Sequence, residues 1–241
     1  MAADSTAFER ALDQLGREIV AGELPAGHGD TIDALVQRTG ASRSVVREVT
    51  RVLGALGMLS AGRRVGLRVL GREHWDVLDP RVIRWRLESS ERDQQIEELR
   101  ALRLAIEPAA AAAAARAVRS GSASTDELER AVAAMRSAAG EPEATAFLQA
   151  DLALHAAVLD LSANSMFARL RAVIDQALQE RAVRERAHLL PDPHDLQLHA
   201  EVAGAITAGE AEEAAAMMRR IVERTSQEAS VRTDNTEGRH A

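Results

Sequence analysis

The sequence predicts a mainly α-helical fold in two parts: three helices with a small β-hairpin, followed by an all-α antiparallel helical bundle. Apolar residues recur at helical spacing along almost the whole chain. The exception is residues 58–70, "MLSAGRRVGLRVL", which alternate apolar and polar residues around a central glycine, as a hairpin does. No strand pattern of substance follows residue 72, so we expect only helices there.

The first part, residues 1–70, has the order helix, helix, helix, hairpin. Its first helix covers residues 7–21, and the turn-rich connection "LPAGHGD" leads to a short second helix over residues 31–38. Ser42 is a suitable N-cap for a third helix rich in valine and leucine. Two helices joined by a short glycine-containing turn indicate a helix-turn-helix, and the hairpin that follows it is a wing.

The second part is expected to be a helical bundle over residues 80–228, reached through a linker over residues 71–79. The polar segment over residues 229–241 is expected to be a disordered tail. Within the second part, helices are predicted at roughly residues 80–90, 93–119, 125–139, 143–162, 165–189, 194–208 and 210–228.

Composition excludes several classes of protein. The chain has no cysteine, so disulfides and thiolate catalysis are excluded, and any metal ligand must be His, Asp or Glu. The start "MAADSTAFER" is acidic where a signal peptide is basic, and the apolar run over residues 109–115 is too short to cross a membrane. We therefore expect a soluble cytoplasmic protein. Aromatic residues are only 2% of the chain, which disfavours binding of single-stranded nucleic acid by base stacking.

The net charge of −7 hides one basic segment. Residues 36–72 contain eight arginines and a single acid, Glu48. Such a block on an acidic protein indicates one surface for a polyanion. Within it, Arg43, Arg47 and Arg51 follow one another at steps of four, opposite the valines of the third helix. A recognition helix in the DNA major groove has this arrangement. The alternative is a solvated basic face, because all 30 basic residues of the chain are arginine.

Residues 8–69 resemble the winged-helix DNA-binding domain of the GntR superfamily, in "LGREIVAGELPAG" and in "GASRSVVREVTRVLGALGML". At one position the chain departs from that superfamily, which usually has Pro-Ser-Glu-Arg before the second helix. Here the segment is "DTID", so Asp33 stands at the arginine position, where an acid would repel phosphate. The resemblance implies that double-stranded DNA is contacted from the recognition helix and the wing tip, by Ser42, Arg43, Ser44, Arg47, Arg63 and Arg64.

The segment "DLALH" places Asp151 and His155 four residues apart within the apolar stretch "FLQADLALHAAVLDL". Two side chains at this spacing lie on the same face of a helix. Both are able to ligate a metal, so one interpretation is a site for an ion or an acidic ligand. The other interpretation is a pair of polar residues that satisfy each other.

Residues 78–228 resemble the all-helical effector domain of the FadR subfamily, in "ELRALRLAIEPAAAAAAARA", "DLALHAAVLDLSAN" and "LHAEVAGAITAGEAEEAAAMMRRI". Such domains form dimers and often bind a divalent metal through one Asp and three His, with a carboxylate effector beside it. The resemblance implies that Asp151, His155 and His199 ligate Zn, Ni or Mn and line the effector site. Ile221 stands where the fourth histidine is usual, so a three-ligand site and a metal-free pocket both remain open.

Arg103 lies on the apolar face of its helix together with Leu99 and Ile106, so its guanidinium is expected to point inward. A buried arginine requires an anion. That anion is either Glu107, one helical turn later, or the carboxylate of an effector, which the planar guanidinium matches. The segment "VLDPRVIRW" and the missing fourth histidine resemble the subgroup that responds to sugar acids such as galactonate or gluconate.

These features predict a homodimeric transcriptional regulator, a repressor that a small organic acid releases from a pseudo-palindromic operator. A second hypothesis is a metal-dependent hydrolase, since an Asp/His/His site with an open position activates water. A third is a dimerisation module, which leaves the polar side chains on inward helix faces unexplained.

Overall fold

The computed structural model describes residues 2–62, 66–139, 144–185 and 193–237. The chain divides into two compact units, Met1–Ile96 and Glu97–Ala241. Both are mainly helical, which confirms the predicted fold class. In the part of the chain that the structure describes, none of the helices is long and apolar enough to cross a membrane.

The first unit contains three helices and a three-stranded antiparallel sheet. The helices are α1 (Ala2–Val20), α2 (Ile32–Thr39) and α3 (Arg43–Ala55), and the strands, in the spatial order β1-β3-β2, are β1 (Gly29–Asp30), β2 (Leu59–Gly62) and β3 (Gly66–Val69). The predicted hairpin is the pair β2 and β3. Strand β1 was not predicted, because its two residues lie in a glycine-rich turn that has no apolar alternation.

Capping residues define both ends of α2 and the start of α3. Thr31 caps α2, with its hydroxyl accepting from Ala34 N at 3.1 Å. Gly40 ends α2 in the left-handed region, at φ 67°, where a residue without Cβ is favoured. Ser42 then caps α3, as predicted. The buried face of α3 packs on α1, so the face with the arginines is turned to solvent.

Helix α4 (Pro80–Leu87) packs on α1 within the first unit. The indole of Trp85 is fully buried, and Gly16 makes room for it, since a Cβ there would lie 2.6 Å from the ring. Asp13 Oδ1 accepts from Trp85 Nε1 at 3.0 Å and from Arg84 Nη2 at 2.5 Å. Helix α4 therefore lies within the first unit, Met1–Ile96. The spacing of apolar residues along a helix does not show which other helix a buried indole packs against.

The remaining helices are α5 (Arg92–Arg119), α6 (Asp126–Ala138), α7 (Ala144–Leu161), α8 (Ser165–Arg169), α9 (Arg171–Glu185), α10 (Pro193–Ala208) and α11 (Ala211–Glu237). Of the segment predicted as one helix over residues 165–189, the part up to Glu185 forms α8 and α9, which separate at Leu170, and residues 186–189 lie outside the described residues. Helix α11 continues to Glu237, into the segment expected to be a disordered tail, because no Gly or Pro interrupts it before Gly238. Residues 238–241 lie outside the described residues.

The core of the second unit is a single apolar cluster drawn from the helices α5 to α7 and α9 to α11. Alanines supply the α5 contribution, from Ala110 to Ala115, and larger side chains such as Leu154, Met218 and Ile221 fill the space opposite them. The polar residues that α5, α7 and α10 turn inward are therefore held in apolar surroundings. That placement makes them the candidates for function.

Candidate functional site

Five ionisable side chains are buried together in the second unit. Arg103 and Glu107 come from α5, Asp151 and His155 from α7, and His199 from α10, and none is more than 5% exposed. All five were singled out from the sequence, and the structure brings them into contact. Buried charges are costly unless they compensate one another, so these contacts must supply that compensation.

Three of these side chains converge through atoms that can donate electron pairs. Asp151 Oδ1 lies 3.5 Å from His155 Nε2 and 2.9 Å from His199 Nε2. The two imidazole rings cross at 81°, with their centroids 5.6 Å apart. Ligand atoms of Asp151, His155 and His199 all lie within 4.8 Å of one another. The arrangement is therefore a compact set of one carboxylate oxygen and two imidazole nitrogens.

Outer contacts orient both imidazoles. His199 Nδ1 lies 2.6 Å from the backbone oxygen of Asp195, and a carbonyl only accepts, so Nδ1 carries the proton and Nε2 faces Asp151. His155 Nδ1 lies 2.5 Å from Glu107 Oε2, which turns its Nε2 to the same carboxylate. Metal-binding histidines have outer contacts of this kind.

The charges of the cluster shift the pKa values of three of its members. Burial raises the pKa of Glu107, but the charges of Arg103 and His155 outweigh it and lower that pKa to about 2. Burial likewise opposes ionisation of Asp151, yet the adjacent imidazoles of His155 and His199 hold its pKa well below the usual range. Burial lowers the pKa of His155, and Glu107 and Asp151 together raise it to about 9. Both carboxylates are therefore ionised at neutral pH.

The donor set fits a divalent cation. Asp151 Oδ1, His155 Nε2 and His199 Nε2 are buried, and among the residues that the structure describes none gives them a hydrogen bond of acceptable geometry. A nitrogen lone pair and a carboxylate oxygen only 2.9 Å apart require positive charge between them, either a proton or a metal ion. Ligands around tetrahedral zinc stand about 3.3 Å apart, close to the 2.9 and 3.5 Å found here.

Ile221, at the position of the expected fourth ligand, is an apolar side chain 2% exposed in the core. It has no atom that can ligate a metal. A cation at Asp151, His155 and His199 would therefore have three protein ligands, with its other positions available to water or to an effector.

Arg103 combines the two roles that the sequence left open. Its Nε donates to Glu107 Oε1 at 2.5 Å, so Glu107 is its ion-pair partner. Its Nη2 is buried, and within the described ranges it has no hydrogen-bond partner. One edge of the guanidinium is thus fixed, while a second donor is available for an anion.

A second buried ion cluster was not found from the sequence. The carboxylate of Asp195 on α10 contacts Arg181 Nη2 and, at 3.4 Å, Arg224 Nε. Because the backbone oxygen of Asp195 orients His199, this cluster supports the metal-competent ring. The chain has 30 arginines and no lysine, so two more arginines carried no signal.

The predicted DNA-contacting residues of α3 lie on its exposed face, at and near its N-terminus. Ser42 Oγ is used in the helix cap and lies 3.0 Å from Ser44 Oγ. Arg43 Nη2 donates to Asp33 Oδ2 at 2.8 Å, while Arg47 is exposed one turn further along the helix. Arg63 and Arg64 lie outside the described residues.

Known proteins resemble this chain in both of its units. The FCD domain family matches residues 98–224. The Escherichia coli K12 galactonate operon transcriptional repressor is 32% identical over 215 residues, which are 87% of this chain and 91% of the repressor. YieP, an uncharacterised HTH-type transcriptional regulator of the same organism, is 28% identical over 156 residues, 63% of this chain and 66% of YieP.

Two solved structures share the fold at low sequence identity. Lar, which controls the expression of the Listeria monocytogenes agr system, has a TM-score of 0.61 at 16% identity, covering 94% of this chain and 96% of its own. E. coli McbR/YncC has a TM-score of 0.52 at 14% identity, covering 92% and 98%. The FCD family matches more than half of the chain, and the galactonate operon repressor matches nearly its whole length. The protein therefore belongs to the GntR family of transcriptional regulators, in the FadR subfamily with an FCD domain.

Proposed function

We propose that this regulator is a cytoplasmic homodimeric repressor whose affinity for a pseudo-palindromic operator is lowered by a small sugar-acid effector. The observation that carries the proposal is Arg103, a buried guanidinium with one available donor next to a carboxylate–imidazole donor set. A buried donor that is left unmatched is costly, which favours a ligand with a matching anion. Arginine pairs most strongly with a planar carboxylate.

The effector class follows from the polarity of the site. A carboxylate would pair with Arg103, and hydroxyl groups would meet the polar side chains of Asp151, His155 and His199. A fatty acyl chain would leave these buried groups unpaired. The galactonate operon repressor, 32% identical to this chain, supports a hydroxylated acid of the galactonate type.

Asp151, His155 and His199 would hold a divalent metal, with Zn, Ni or Mn suited to this oxygen and nitrogen donor set. When bound, the metal would supply a Lewis acid that attracts the effector's carboxylate or hydroxyl oxygen. The residues orient the site: Glu107 and the Asp195 carbonyl direct the two imidazoles, and Arg103 sets the position of the acid.

The DNA side of the proposal places Ser42, Arg43, Ser44 and Arg47 against the operator, together with Arg63 and Arg64. A dimer presents two recognition helices to two half-sites. The effector would change the free energy of operator binding by about 1–3 kcal/mol, the usual size of a coupling between two sites.

Gel-shift titration against the DNA upstream of the protein's own gene tests this function. We expect specific binding that galactonate or a related sugar acid weakens. Arg47→Ala should lower operator affinity by about 10- to 100-fold, the size of a lost bidentate base contact. Its exposed side chain allows the fold to remain, which circular dichroism would check. Normal operator binding by this variant would contradict the recognition-helix assignment.

The two alternative hypotheses are distinguished from this proposal on different grounds. The chain belongs to a family of transcriptional regulators and is not an enzyme, so the metal-dependent hydrolase is set aside. A pure dimerisation module would bind no small molecule. Thermal unfolding with a panel of sugar acids, with and without zinc, would distinguish it, because stabilisation by any of them requires a ligand site.

A further inference from the structure

An ion pair joins the two helices of the helix-turn-helix at its exposed face. Asp33 lies in the first turn of α2, and Arg43 is the first residue of α3. Asp33 Oδ2 accepts a hydrogen bond from Arg43 Nη2 at 2.8 Å. Both side chains remain open to solvent, with exposed fractions of 71% for Asp33 and 60% for Arg43. The pair is therefore accessible to a large ligand.

The contact differs from the neighbouring ion pair on the same surface. Arg51 is paired with Glu48, which lies three residues earlier on α3 itself, so that contact fixes nothing beyond its own helix. Asp33 instead reaches Arg43 across the turn. It restricts the guanidinium of Arg43 relative to α2, at the end of α3 that carries Ser42 and Ser44.

The guanidinium of Arg43 can contact a base while it is paired with Asp33. Arginine has five N–H donors in a rigid plane, and the Asp33 contact uses Nη2. Donors remain for the N7 and O6 acceptors of a guanine, which arginine binds bidentately in the major groove. A guanidinium already held in one orientation loses less freedom when it forms that contact.

The charge of Asp33 acts in the opposite direction on DNA that lacks the matching base. An acid close to the phosphates cancels one positive charge of the recognition surface and weakens sequence-independent binding. Asp33 thus favours discrimination between sequences over general affinity for DNA. Both effects come from one side chain.

We infer that Asp33 is a specificity-determining residue, which positions Arg43 to read a guanine and lowers affinity for DNA without that guanine. The inference rests on the proposed DNA-binding function. Asp33 itself touches no base and acts through Arg43.

The experiment starts with wild-type protein and a library of DNA duplexes with a randomised centre. The duplexes that wild type enriches identify the preferred site. Each guanine of that site is then substituted in turn, and binding of wild type is compared with binding of Arg43→Ala. The guanine that Arg43 reads is the one whose substitution lowers the affinity of wild type but not that of Arg43→Ala. We expect Asp33→Asn to reduce the preference for that guanine by about two- to five-fold, the size of an exposed ion pair. Affinity for random-sequence duplex should rise.

Glu48→Gln is the matched control, because it removes one acid from the same surface without touching Arg43. It should raise affinity for random duplex and leave the guanine preference unchanged. In an Arg43→Ala background, Asp33→Asn should change only the general affinity. Asp33→Glu, which keeps the charge, should retain part of the preference, a rescue that a merely structural role would not produce.

Four outcomes would overturn the inference. An unchanged guanine preference in Asp33→Asn would remove the positioning role. An equal loss of guanine preference in Glu48→Gln would show that Asp33 acts only through its charge. A preferred site in which no guanine depends on Arg43 would mean that Asp33 has no base-reading contact to position. A wild-type protein that enriches no sequence would overturn the proposed function as well.

Discussion

Glu107 joins two of the buried side chains of the site. Its two carboxylate oxygens are divided between two partners, with Oε1 accepting from Arg103 and Oε2 lying 2.5 Å from His155 Nδ1. It therefore links the arginine expected to hold the effector with a histidine expected to hold the metal. A neutral side chain of the same shape would leave both partners less well oriented.

Glu107→Gln should lower zinc affinity by about 10- to 100-fold, the usual effect of removing the outer partner of a metal-binding histidine. The cause is the loss of the charge that fixes the ring of His155. Isothermal titration of zinc into chelator-treated protein measures it. Glu97→Gln, at an exposed position of the same helix, serves as the control. Equal zinc affinity in wild type and Glu107→Gln would show that Glu107 does not orient the ligand.

His155 predicts a pH dependence of the metal-free protein. Its pKa is raised from 6.5 to about 9, so the stability it contributes is complete below pH 6.5 and is lost as pH rises through about 9. The free energy of unfolding, measured with denaturant and chelator present, should fall across this window. His155→Gln should show less of this fall. Stability that rises between pH 6.5 and 9 would contradict the ionised contacts of His155 with Glu107 and Asp151.

At the scale of elements, packing on α1 holds α4 in the first unit. Trp85 is buried against Gly16, and Asp13 accepts hydrogen bonds from α4. Both tryptophans of the chain, Trp75 and Trp85, belong to this unit, so tryptophan fluorescence follows its unfolding. Tryptophan fluorescence therefore tests the packing of α4 on α1.

Gly16→Ala should destabilise the first unit, although alanine is favoured over glycine inside a helix by about 1 kcal/mol. Its Cβ would lie 2.6 Å from three atoms of the Trp85 ring, which forces the indole or α4 to move. Gly54→Ala is the matched control: its Cβ would make only an ordinary contact, at 3.6 Å, so stability should rise. Denaturant unfolding followed by tryptophan fluorescence compares the two, and a Gly16→Ala variant as stable as Gly54→Ala would exclude close packing of α4.

At the scale of the whole molecule, ligand binding and folding are linked. A ligand that binds only the folded state stabilises it by about 2.7 kcal/mol at 100 times its dissociation constant. We expect galactonate or a related sugar acid to raise the unfolding temperature of zinc-loaded protein. Arg103→Met, which keeps an unbranched apolar stem without the guanidinium, should lose this rise. An undiminished rise in Arg103→Met would remove Arg103 from the effector site.

Local pattern determined the elements of this fold. Periodicity predicted the helices, and the glycines and caps at Gly40 and Ser42 predicted the helix-turn-helix, since both depend on residues close in sequence. The two-residue strand β1 was missed, because it depends on pairing with the distant strand β3, and the division at Leu170 was missed as well. The last helix likewise runs beyond the predicted end at residue 228.

The sequence by itself determined the family, the mainly helical fold and the candidate side chains of the buried site, because motifs and periodicity are local properties of the chain. Only the tertiary structure decided their partners. It paired Glu107 with both Arg103 and His155, joined Asp195 to Arg181 and Arg224, and set Asp33 against Arg43. Apart from the Arg103–Glu107 pair, which lies within α5, these contacts connect residues on different helices or across a turn. Which side chains meet there depends on how the helices pack, and spacing along one helix does not encode that packing.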